Sequence, residues 1–231
     1  MLFDLQSRGR RTAVKIVYLG LAVLIGGGLV LFGVGTGTGG GGLLDIFNND
    51  TQDTSSQISN TEKRAQRAVR VNPQDAAAWA ELARARYLRA GVGDNFNETE
   101  GTFTAQGQTQ LRSAEQAWER YLALRPARPD SNVARLMAQA YAALNQSADA
   151  ADAWEIVTEE DPSSAAYSQL ATYAWDAGQD RKGDLASEKA VELAPEAQQR
   201  TVRTTLERTK RAIAEQRVQD AVNSGAVTTA R

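Results

Sequence analysis

Histidine and cysteine are both absent from the chain, which removes the commonest general base, the commonest metal ligand and every thiolate. Ser–His–Asp and Cys–His hydrolysis, zinc-protease chemistry and disulfides are thereby excluded. The remaining chemistry belongs to oxygen donors. Asp94, Asn95, Asn97, Glu98 and Glu100 crowd one short stretch, and hard ligands of this kind suit calcium. Their spacing does not meet the D-x-[DN]-x-[DN]-G pattern with a distant Glu, so a mobile loop on one rim is expected in place of a metal site. Phe96 and Phe103 in the same stretch are open between partner contact and local packing. Glu159-Glu160-Asp161 precedes Pro162 and reads as a solvated helix end. An enzyme built on carboxylates or a metal therefore ranks last among the readings. No catalytic residue, cofactor or metal is assigned.

The elements that would position any site begin with an asymmetric N-terminus. Arg8, Arg10, Arg11 and Lys15 lead into an apolar run of 19 residues, Ile16 to Val34, and no further positive charge appears until Lys63. At about 1.5 Å per residue the run reaches roughly 29 Å, close to the hydrocarbon thickness of about 30 Å. Bases before the span and acids after it (Asp45, Asp50, Asp53) place residues 1–12 in the cytoplasm and everything from Thr36 onward outside. The run is long for a cleaved signal peptide and ends without a small-x-small site. An uncleaved single-pass anchor at 13–35 in the cell membrane is the expectation. Ala22, Gly26, Gly27 and Gly28 form a small-residue face where another membrane helix can approach, although glycine is also simply common in such spans.

Setting aside Arg8, Arg10, Arg11 and Lys15 from the 26 bases, and Asp4 from the 28 acids, leaves 22 against 27, a formal charge of −5 outside the membrane. That mild acidity argues against nucleic acid as a partner. Residues 36–59, a Gly/Thr tract and then a polar run around the apolar island Leu43 to Phe47, read as a flexible linker.

Beyond this linker the chain is alanine-rich and punctuated by proline. Pro126, Pro162 and Pro195 lie 36 and 33 residues apart. The same phrase precedes two of them: Ala114-x3-Trp118 before Pro126, and Ala150-x3-Trp154 before Pro162. Trp79, Leu82 and Ala83 open the first unit, Met137, Ala138 and Tyr141 the second, and Tyr167, Leu170 and Ala171 the third. In these residues the chain resembles the tetratricopeptide repeat, a 34-residue helix–turn–helix with the pattern W-x2-L-G-x2-Y, A-x3-F, P. The resemblance covers residues 60–197, with repeats at 76–128 (carrying an insertion at 92–110), 131–163 and 164–197. Gly183 and Ser187 replace the Ala-x3-aromatic pair of the third repeat, its weakest helix. Residues 198–231 read as a C-terminal capping helix and tail, with an apolar trace at Val202, Leu206 and Ile213.

The resemblance implies an all-α fold: a single membrane helix, then a solenoid of helical hairpins, then the cap. It also implies a concave groove lined by the first helix of each repeat, which binds a protein or an extended peptide. Carried onto this chain, the groove comprises Arg84, Tyr87 and Leu88, then Asn132, Arg135 and Gln139, then Ser168, Thr172, Trp175 and Asp176. Arg84 and Arg135 are suited to forked pairing with carboxylates, and Trp175 is the aromatic anchor. The whole layout resembles bacterial membrane-anchored tetratricopeptide proteins associated with the secretion translocon. The expected function is a chaperone-like adaptor on the extracytoplasmic side; the alternative is a scaffold for cell-wall or cytochrome assembly.

Overall fold

The computed structural model describes residues 51–223, with side chains from residue 55 onward. Eight α-helices make up most of that span: α1 (Thr51–Val71), α2 (Ala76–Ala90), α3 (Ala105–Ala123), α4 (Ser131–Ala143), α5 (Ser147–Glu160), α6 (Ser164–Asp176), α7 (Asp180–Leu193) and α8 (Glu196–Asn223). A two-stranded antiparallel ribbon, β1 (Phe96–Asn97) and β2 (Thr102–Phe103), separates α2 from α3. Among the described residues no helix is long and apolar enough to cross a membrane. The expected span at 13–35, with Ala22, Gly26, Gly27 and Gly28, lies outside the described residues, as do the rest of 1–50 and the tail 224–231.

Local chemistry explains where the helices start. Asp75, Asp130 and Ser163 cap α2, α4 and α6, each side chain accepting from a backbone N–H of the first turn, which satisfies donors the helix leaves orphaned. No such cap precedes α5 or α7; a tight turn sets their entry instead. Asn145 and Gly178 take φ of 58° and 76°, a left-handed conformation that Gly and Asn adopt at least cost. The following N–H groups, of Gln146 and Gln179, then reach back to Tyr141 O and Ala174 O, both at 2.8 Å. The two turns are built alike. Asp161 and Ala194 leave the helical region before Pro162 and Pro195, as the proline ring demands.

Packing follows the same order. Helices pair as α2 with α3, α4 with α5 and α6 with α7; α2 also meets α4, and α8 meets both α6 and α7. Ala83, Ala114, Ala138, Ala150 and Ala171 are completely buried, which allows the helices to approach closely where they pack. Trp118, Tyr141 and Trp154 fill the gaps and are buried in turn. Burial of a large apolar side chain contributes about 1.5–3 kcal/mol, so these aromatics are principal supports of the stack.

Two expectations need correction. The linker expected at 36–59 ends earlier: α1 starts at Thr51, and Ile58 is only 7 % exposed. Ile58, Ala65 and Val69 are the buried residues of α1, and this helix packs on α2. One isolated isoleucine in a polar run gave too little periodicity to show this. The insertion expected as a mobile loop is ordered. Phe96 and Phe103 pair across the ribbon with ring centroids 5.2 Å apart, and Phe103 packs against the main core. Because α3 begins at Ala105, the final residues of the expected insertion are helical.

Candidate functional site

The first helices of the three hairpins, α2, α4 and α6, share a surface. The Tyr87 hydroxyl of α2 donates to Gln139 Oε1 of α4 at 2.6 Å. Burial, with Tyr173 of α6 as a neighbour, pushes the Tyr87 hydroxyl up to about 12. Tyr173 is raised as well, by burial first and then by Asp176. Tyr87, Gln139 and Tyr173 thus bring three hairpins together at one place. Arg84, Asn132 and Gln139 are exposed, and Leu88 is half-buried.

Other expected groove residues are engaged inside the protein. The Ser168 hydroxyl donates to Ser164 O and the Thr172 hydroxyl to Ser168 O, so both are satisfied within their own helix. Arg135 is not a free fork: Nη2 lies 3.3 Å from Asp161 Oδ2, and the guanidinium sits 5.7 Å from the Trp154 ring centroid. Asp176 accepts from the Ser147 hydroxyl.

Trp175 is the clearest correction. It is 2 % exposed and is no surface anchor. Its indole lies between α6 and α7, against Gly183, where an added Cβ would fall 2.4 Å from Cδ1. Nε1 donates to Asp184 Oδ1 at 3.0 Å, and Lys210 of α8 lies 5.7 Å from the ring centroid. The aromatic that reaches the shared surface is Tyr173, which the repeat register passed over. Gly183 was the available signal: a glycine within a helix, opposite a tryptophan, marks where that tryptophan goes.

The second helices carry a different chemistry. Glu115 and Glu119 of α3 and Asp149 and Asp152 of α5 surround Tyr141, and together with burial, the larger cause, they raise its hydroxyl. Burial is also the main cause that raises Glu115, which accepts from Gln146 Nε2 at 3.1 Å. Towards α7 the acids are neutralised, since Lys182 lies 3.0 Å from both Asp152 and Glu155.

The oxygen donors of the insertion do not converge. Asn97 Oδ1 accepts from Thr99 N and Glu100 N, closing the ribbon turn, and Asn95 Nδ2 donates to Arg89 O. Among the described residues no group of three acids is placed to hold a metal ion. We compared the chain with protein-family models and with curated proteins, and neither comparison gives a match.

Proposed function

We propose that this protein is a tetratricopeptide-like interaction protein, held to the cell membrane by residues 13–35 with its helical domain on the extracytoplasmic side. It binds an extended peptide or protein segment along the surface shared by α2, α4 and α6, and it carries out no catalysis. The observation that supports this reading is the meeting of Tyr87, Gln139 and Tyr173 from three successive hairpins. Such a surface offers hydroxyl and amide groups to a peptide backbone and, through exposed Arg84, a cation to its carboxylates. The capping role of α8 rests on Val202 and Leu206, which it buries, and on its ion pairs from Lys210 to Asp184 and Arg217 to Asp180.

At the translocon exit the bound segment would be an emerging secreted chain. The test is a peptide array of secreted sequences probed with the full chain. Binding to many apolar and acidic peptides, weakened by Tyr87→Ala and Arg84→Glu together, fits the adaptor. Binding that these changes leave intact would remove this surface from the function.

A further inference from the structure

A cleft of about 630 Å³ lies on a different part of the domain, lined by residues of α1, α2 and α3. Its lining includes Val69, Trp79 and Ala117 together with three arginines, Arg70, Arg86 and Arg120, against one acid, Glu119. Arg86 is fixed there: Nη1 donates to Ser113 O at 2.8 Å, and Nε lies 3.7 Å from Glu62. Arg70 and Arg120 differ. Both are exposed, and neither has a hydrogen-bond or ion-pair partner among the described residues. Trp79 is half-buried with its Nε1 already bonded to Pro73 O at 2.9 Å, so its polar need is met and its ring face is left for apolar contact.

The charged groups that act on Tyr141, between α3 and α5, are acids, whereas the cleft lined by α1, α2 and α3 carries three arginines to one acid. We propose that the α1–α3 cleft docks an acidic peptide segment. Its carboxylates pair with the Arg70 and Arg120 guanidiniums, and an apolar side chain rests on Trp79. An inorganic anion would leave the apolar lining uncovered. The volume falls within the range of roughly 300–1,000 Å³ of pockets that bury a drug-sized ligand, room for one or two side chains of a peptide. Guanidinium forks match carboxylate geometry in two parallel bonds, which gives direction as well as attraction. This surface is independent of the one around Tyr87.

The experiment is fluorescence anisotropy with the full chain and a labelled peptide of alternating Glu and Leu. The same peptide with Lys in place of Glu serves as control. The Glu/Leu peptide should bind, more weakly as salt rises, and the Lys/Leu peptide should not. The double change Arg70→Glu and Arg120→Glu should weaken binding about tenfold or more, with helical circular dichroism retained because both side chains are exposed. Arg70→Ala with Arg120→Ala should give a smaller loss in the same direction, and Tyr87→Ala should give none. Absence of binding, equal binding of the two peptides, or indifference to both arginine pairs would overturn the assignment. So would a dimer in sedimentation that the arginine changes dissolve and the peptide does not, since a second copy would then fill the cleft.

Discussion

Trp175 of α6 and Gly183 of α7 are a matched pair: the indole occupies the space that a side chain at 183 would need, with Cδ1 2.4 Å and Nε1 2.5 Å from the position of a Cβ. The contact explains how the third hairpin packs although it lacks the alanine and aromatic of the other two. Alanine at 183 would gain about 1 kcal/mol of helix propensity but must displace a ring that is buried and hydrogen-bonded. Overpacking of this kind typically costs about 1–3 kcal/mol, so Gly183→Ala should lower the denaturant midpoint. Adding Trp175→Leu should recover part of the loss.

The same tryptophan links α7 to the final helix through Asp184. The hydrogen bond from Lys210, followed by that from Trp175, holds the Asp184 carboxyl below its usual range. A carboxyl depressed in the folded state contributes stability that is complete above its unfolded value of about 3.9 and lost as pH falls through the folded value. Asp184→Asn should therefore flatten the loss of stability below about pH 4. Denaturant midpoints of both proteins between neutral and acid pH would show it.

Glu115 has the opposite sign. Its carboxyl is raised, chiefly by burial, so its ionisation at neutral pH opposes folding. Glu115→Gln should raise the melting temperature at pH 7, keeping the acceptor that Gln146 uses. The gain should vanish below the ordinary glutamate value of about 4.3. An equal gain at both pH values would contradict the burial of the charge.

At Gly107 the obstacle is backbone. A Cβ there would lie 2.1 Å from Asn95 O, and that carbonyl also accepts from Thr104 N at 2.9 Å. Gly107→Ala must push the turn at Asn95, which leads into the ribbon, away from α3, and overpacking of this kind typically costs about 1–3 kcal/mol, occasionally more. Excision of the ribbon should likewise lower thermal stability, because Phe103 packs on the core. Unchanged melting in either variant would make the segment a dispensable loop.

Much of the scaffold was legible because its signals are local and repeat. Prolines and alanines spaced with aromatics mark units at 131–163 and 164–197, and the pairs α4 with α5 and α6 with α7 are found within them. The site was less legible because helical periodicity tells which face a residue occupies only to within a fraction of a turn. Tyr173 and Trp175 are two residues apart, and choosing between them required Gly183, a partner on another helix. The freedom of Arg135 depended likewise on Asp161, far along the chain. The order of the insertion depended on a pair, Phe96 with Phe103, that an unpatterned stretch does not announce.

Photo-crosslinking in intact cells shows whether the surface around Tyr87 holds a protein segment as proposed. A photoreactive residue at exposed position 84 should capture secreted chains, with the yield falling when Tyr87→Ala is added. A probe at Leu185 of α7, 59 % exposed and away from both surfaces, should not. Capture at 185 equal to that at 84, or no adduct at 84, would remove the Tyr87 surface from binding.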